Sequence, residues 1–223
     1  MAFKPVKSPQ SIPTVEQTAV KPKSIVLFSD GTGNSSAKLF KTNVWRLYEA
    51  VDLGLPDPTS VAPGQEPRVQ VALYDNGVGT SNFRPLAILS GIFGFGLKKN
   101  VLRLYRYACR NYRPGANGQP GHSIYAFGFS RGASTIRLVA GLIGTKGNIP
   151  YTTDAELNAW SADIFREFHE DNNRNFLPFV GKLGGSIRNG LLAAKRGIFS
   201  GSLGKMPTPL PAEITFLGVW DTV

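Results

Sequence analysis

The stretch Ser123-Ile124-Tyr125-Ala126-Phe127-Gly128-Phe129-Ser130-Arg131-Gly132-Ala133 decides how this chain folds. An apolar run enters Gly-Phe-Ser-Arg-Gly, and a helix-compatible segment follows. That is the strand–turn–helix context of a G-x-S-x-G nucleophile elbow, in which a sharp turn presents the serine hydroxyl at the carboxyl end of a buried strand. Gly128 and Gly132 lack a Cβ, so strand and helix backbones can approach closely there. Residues 124–129 are apolar apart from Gly128 and the Tyr125 hydroxyl, as in a strand covered on both faces of a parallel sheet. Ile136, Leu138, Val139, Leu142 and Ile143 then supply an apolar helical surface, with Gly144 as the expected stop. Ser130 is the first candidate catalytic residue.

Outward from this stretch, apolar runs alternate with helical patterns. Strands are expected at 24–30, 68–74, 123–129 and 213–220, and helices at 43–53, 97–112, 131–143 and from 154 onward. Thr153 and Glu156 have the spacing of a capping box. Alternation of this kind implies an α/β fold, a mostly parallel sheet with helices on both faces. Residues 1–23, rich in Pro and Lys, read as a flexible basic tail, and 24–223 as one domain. Residues 177–206, glycine-rich, basic and free of acids, read as an insertion.

Composition narrows the function. Apolar residues make up 42% and charged residues 18%, which fits a globular chain rather than a disordered one. The single cysteine, Cys109, excludes an internal disulfide and a cysteine-cluster metal site, and its position suggests a small core residue. Neither a metal nor an organic cofactor is implied. The longest apolar-rich run is too short and glycine-rich to span a bilayer, and the amino terminus lacks a signal-peptide core. A cytoplasmic product, or one exported without a cleaved signal, is expected.

The net charge of +10 is concentrated. Residues 76–153 contain ten Lys or Arg and no acid. Within them Lys99, Arg103, Arg106, Arg110 and Arg113 recur at helical spacing. Two readings stand side by side: an attraction for anionic ligands or an anionic membrane surface, and the solvated face of an amphipathic helix. No nucleic-acid partner is expected.

Ligands of open α/β sheets bind beyond the carboxyl ends of the strands. Three strands end there in reaction-compatible residues: Asp30-Gly31-Thr32, Ser130-Arg131 and Asp221-Thr222. Serine needs a base to take its proton and an acid to orient that base. Asp221 suits the acid. Backbone N–H groups of Gly31 or Thr32, and of Arg131, suit an oxyanion hole. The phosphate-loop alternative for Gly31-Thr32 is weak, since neither the dinucleotide fingerprint nor the P-loop Lys-Ser/Thr is present. The chain has two histidines. His122 should lie at the amino end of its strand, away from Ser130, and His169 near a helix end.

The segments Phe28-Ser29-Asp30-Gly31-Thr32-Gly33-Asn34, Thr42-Asn43-Val44, Tyr74-Asp75-Asn76-Gly77-Val78-Gly79-Thr80, Gly128-Phe129-Ser130-Arg131-Gly132-Ala133 and Gly218-Val219-Trp220-Asp221-Thr222-Val223 occur in one order over about 200 residues. Jointly they resemble the α/β-hydrolase family typified by the catalytic domain of type VI secretion phospholipase effectors. The resemblance implies Ser130 as nucleophile, Asp221 as triad acid, and a catalytic histidine downstream of Asp221-Thr222-Val223. It therefore implies a fold incomplete at the carboxyl end and low activity for this chain alone. The expected activity is carboxylic-ester hydrolysis through an acyl-enzyme, on a lipid or small ester substrate. The alternative is a non-enzymatic relative that binds anions or membrane surfaces.

Overall fold

The computed structural model describes residues 23–31, 41–54, 69–76, 93–115, 121–173 and 204–220. The amino-terminal tail up to residue 22, most of the expected insertion at 177–206, Thr32 and Asp221 lie outside the described residues.

Four strands form one sheet: β1 (Lys23–Ser29), β2 (Val69–Asp75), β3 (Ser123–Phe129) and β4 (Ile214–Trp220). All pairings are parallel, in the order β2-β1-β3-β4. The expected α/β architecture is therefore present. Parallel strands need crossover connections, and the helices supply them: α1 (Asn43–Glu49), α2 (Phe93–Asn111), α3 (Arg131–Lys146) and α4 (Asp154–Asn173).

The period-2 geometry of β1 divides the core. Ile25 and Leu27 face one side with Ile124 and Ala126 of β3, against the apolar sides of α2, α3 and α4. Val26 and Phe28 face the other, where Val44 of α1 and a row of aromatic rings gather. Phe28 stacks on Phe127 at 5.4 Å and meets Tyr48 edge-on at 5.6 Å. Cys109 is buried, as a small core residue should be. One irregularity marks β4: its register shifts between Ile124 and Tyr125, and Thr215 Oγ1 accepts the Ile124 N–H at 3.2 Å.

Several boundaries differ from the sequence reading. Helix α3 passes Gly144 and ends at Gly147, which takes φ 71° and donates its N–H to Ile143 O. A glycine in mid-helix is tolerated, whereas only the position needing positive φ stops the helix. Helix α1 ends at Glu49; Val44 is buried and Tyr48 packs beside it, whereas Leu47, an apolar residue of the same helix, is exposed. Helix α2 begins at Phe93, four residues before the expected start. The capping box of α4 is formed: Glu156 Oε2 accepts the N–H groups of Thr152 and Thr153 at 2.9 Å, and Thr153 Oγ1 accepts that of Glu156 at 3.3 Å.

The basic stripe of α2 resolves into internal contacts. Arg103 Nη1 pairs with the buried Asp75 at 2.8 Å. Arg106 donates to Ser161 Oγ at 2.7 Å and to Asn158 O at 3.0 Å. Arg110 pairs with Asp154 at 2.9 Å, and Arg113 donates to Tyr112 O at 2.8 Å. Three of the five cations, Arg103, Arg106 and Arg110, thus dock α2 onto β2 and α4. Ser161 is fully buried whereas Arg110 and Asp154 are both well exposed, so the two contacts with α4 should differ in weight. Arg106→Ala should cost about 1.5–3 kcal/mol, the range for hydrogen bonds to a charged group. Arg110→Ala should cost no more than about 1 kcal/mol. Chemical denaturation of the two variants measures the difference, and equal losses would contradict this ranking.

Candidate active site

In the strand order β2-β1-β3-β4, the chain runs outward from β1 to β2 and then returns to the opposite side of β1 for β3. The topological switch point, where open α/β sheets bind ligands, therefore lies between the carboxyl ends of β1 and β3. Asp30 and Gly31 follow one of these strands, and Ser130 and Arg131 the other.

Ser130 joins β3 directly to α3 with φ 52° and ψ −125°. It is the one non-glycine residue with positive φ among the described residues. A side chain held in such a sparsely populated region costs about 1–3 kcal/mol, so the surroundings must impose it. Three backbone hydrogen bonds hold it: Ser130 N–H to Trp220 O at 2.9 Å, and Ala133 and Ser134 N–H to Ser130 O at 2.9 and 3.3 Å. The hydroxyl makes no capping bond to the helix, and the residue is half-buried. The strained turn expected from Gly-Phe-Ser-Arg-Gly is thus present.

The glycines explain how the turn fits. A Cβ on Gly128 would lie 2.6 Å from Gly132 O and 2.7 Å from Ala133 Cα. A Cβ on Gly132 would collide with the Ser29 carbonyl and lie 2.7 Å from Asp30 O. The first turn of α3 therefore rests on the backbone where β1 ends. This contact brings the Ser130 turn beside Gly31.

Asp30, only 2% exposed, organises the other side. Its Oδ1 accepts the Gly31 N–H at 2.7 Å. Its Oδ2 accepts from Thr42 Oγ1 at 2.6 Å and from Tyr74 OH at 2.5 Å. The Asp30 N–H donates to Asp75 O at 3.0 Å. Thr42 Oγ1 also caps α1 by accepting the Trp45 N–H at 3.1 Å. Burial and the neighbouring Asp30 carboxylate raise the Tyr74 phenol pKa far above its ordinary value, so Tyr74 stays a donor. Sequence reading missed this role of Asp30; the signal was an acid at the end of an otherwise apolar strand.

The remaining site residues separate clearly. Arg131 is the first residue of α3, whose opening N–H groups have no intrahelical acceptor. Burial lowers the pKa of its guanidinium. Trp220, one residue before Asp221, accepts the Ser130 N–H. His122 Nδ1 lies 2.8 Å from Asn111 O at the amino end of β3. Eight residues of strand put His122 roughly 26 Å from Ser130. His169 belongs to the far half of α4. Its neighbour Phe168 packs on Gly141, and Asp171 pairs with Lys146 at the end of α3. Sixteen helical residues separate Lys146 from Ser130, roughly 24 Å. Neither histidine is brought to the serine. Among the described residues no group of His, Cys, Asp and Glu could hold a metal ion, and no helix is long and apolar enough to cross a membrane.

A parallel α/β sheet with a strained serine turn at its switch point is the frame of a hydrolase-like protein. Comparison with known proteins agrees: residues 23–223 match the catalytic domain of the Tle1-like phospholipase effectors of type VI secretion, and the chain belongs to that family. It is also 27% identical over 175 residues to an uncharacterized protein of Saccharomyces cerevisiae, YEL023C. That match covers 72% of this chain and 23% of the yeast protein, so the chain spans about a quarter of that relative's length. No solved structure matches.

Two outcomes test this geometry. Gly132→Ala forces its new methyl onto the β1 backbone and should lose about 2–3 kcal/mol or more, the upper part of the overpacking range, by chemical denaturation. Asp75 is 2% exposed, and its carboxylate pKa is raised by burial, which outweighs the opposing effect of Arg103 and Lys99. A folded-state pKa above the ordinary 3.8 means the folded form holds this proton more tightly. Its contribution to stability is therefore greatest below pH 3.8 and declines as pH rises to the raised value. Asp75→Asn should flatten that decline in a stability–pH profile, and an unchanged slope would place the shift elsewhere.

Proposed function

We infer that this chain carries the catalytic core of a serine-dependent carboxylic-ester hydrolase of lipase or phospholipase type. The observation that carries this reading is the positive-φ turn at Ser130, set at the switch point of the sheet. Strain at a half-buried serine has no packing role here and suits presentation of a nucleophile. Family membership supports a lipid substrate.

In the proposed mechanism Ser130 Oγ attacks the acyl carbonyl carbon. Its proton passes to a histidine base, and the carbonyl oxygen becomes an oxyanion. The tetrahedral species collapses, the histidine protonates the leaving alcohol, and an acyl-enzyme remains for water to cleave. Asp221 orients the base. The bond from Ser130 N–H to Trp220 O supports this role, because it holds the residue before Asp221 beside the nucleophile. The Arg131 N–H is one oxyanion donor. Of Gly31 and Thr32, the second donor is assigned to Thr32, since the Gly31 N–H already meets Asp30 Oδ1. His122 and His169 stand far from Ser130, so the base is assigned to sequence outside these 223 residues. The anion-binding alternative has less support, because Arg103, Arg106 and Arg110 have internal partners.

The test uses the full natural protein, assayed on short-chain esters and phospholipid vesicles and labelled with a fluorophosphonate. Ser130→Ala should abolish labelling and lower kcat by several orders of magnitude, and Asp221→Asn should lower kcat by about 10³–10⁴. His122→Ala and His169→Ala should leave kcat per folded molecule within a few-fold. The 223-residue chain alone should turn over slowly. Full turnover by Ser130→Ala would refute the nucleophile, and loss of turnover in His169→Ala would refute the placement of the base.

A further inference from the structure

We propose that Asp30 is a positioning residue for ester hydrolysis, acting through the backbone that leaves β1 rather than touching the reacting atoms. The proposal rests on the hydrolase reading of the Ser130 site. One buried carboxylate accepts from Gly31 at the start of the connection between β1 and α1, and from Thr42 at its end, twelve residues from Asp30. Tyr74 of β2 supplies the third bond. The two ends of the connection are thereby clamped to the same two oxygens. Gly31 lies beside the first turn of α3, since Gly132 rests on the Ser29 and Asp30 carbonyls.

The clamp uses both oxygens of the Asp30 side chain as acceptors. The Gly31 N–H can only donate, and the Thr42 and Tyr74 hydroxyls donate here, an arrangement that a side chain with acceptors on both oxygens serves best. An asparagine keeps the shape and can leave its Oδ1 on the Gly31 N–H, but its NH₂ group then donates to the Thr42 and Tyr74 hydroxyls, which reverses both bonds and removes the charge that strengthened them. The hold on the Thr42 end of the connection is thereby weakened. Fixing the ends removes conformational freedom before the reaction, which is the condition for a preorganised oxyanion site. The Gly31 N–H is also drawn away from an oxyanion by its bond to Asp30 Oδ1. Misplacement by about 1 Å at such a site can cost on the order of 10²-fold in rate. A clamp that acts on the transition state should therefore alter kcat and leave substrate affinity alone.

The experiment measures kcat, KM, the fluorophosphonate labelling rate and the thermal midpoint in the full natural protein. Asp30→Asn is expected to lower kcat and the labelling rate together by roughly 10–100-fold with KM unchanged. Thr42→Val should give a smaller loss of the same pattern, and Thr42→Ser, which keeps the hydroxyl, should restore the parent values. Tyr74→Phe removes one donor while leaving both ends of the connection bonded, so its loss should be the smallest. Should Asp30→Asn fail to fold, the Thr42 pair and Tyr74→Phe decide the matter. A lowered thermal midpoint with kcat per labelled site unchanged in these variants would reduce Asp30 to a scaffold residue and overturn the proposal. Absence of labelling in the unmutated protein would instead defeat the hydrolase reading, and with it this inference.

Discussion

The contact on which the site depends is the seating of α3 on the end of β1. Gly132 has no side chain, and even a methyl group there would run into the Ser29 carbonyl. Because the helix can come this close, β3 and β1 deliver their carboxyl ends to one place. The turn between β3 and α3 is then so short that Ser130 must adopt φ 52°. Strain at the serine and closeness at the glycine are two sides of one constraint. The backbone bonds from Ser130 to Trp220 and from Ala133 to Ser130 hold the result in place.

Helix α2 performs a different task. Its tyrosines reach backbone carbonyls on three separate segments: Tyr105 to Gly147, Tyr107 to Ala72 and Tyr112 to Pro211. Its arginines reach β2 and α4. Long amphipathic side chains suit this role, since their stems pack while their polar ends find partners. The surplus of positive charge is thus partly a docking device. Sequence spacing alone could not distinguish that from a surface for anionic ligands, because the acceptors on α4 lie about fifty residues away.

The carboxyl edge of the sheet combines two kinds of polar group. Asp30 and Asp75 are buried acids with specific partners, and they fix the ends of β1 and β2. Ser130 stands apart from them, half-buried and in a conformation no fold would select for packing. This division sets two buried, hydrogen-bonded acids on one side of the switch point and the half-buried Ser130 on the other.

The sequence by itself determined the α/β alternation, the buried strand before Ser130, the serine turn, the capping box of α4 and the family. Each is written in local patterns: period-2 or period-3.6 apolar spacing, glycines flanking a serine, or an acid three residues after a threonine. Only the tertiary structure decided that Gly147 rather than Gly144 ends α3, that Leu47 faces outward, and that the arginines of α2 dock internally. It alone placed Tyr74 and Thr42 on Asp30 and set His169 at the far end of α3 from Ser130, whereas the place of His122 at the amino end of β3 was already legible in the sequence. These outcomes depend on contacts between residues distant in the chain. A histidine or arginine looks the same in sequence whichever end of a strand or helix meets its partner, and only the packing of the elements settles which one does.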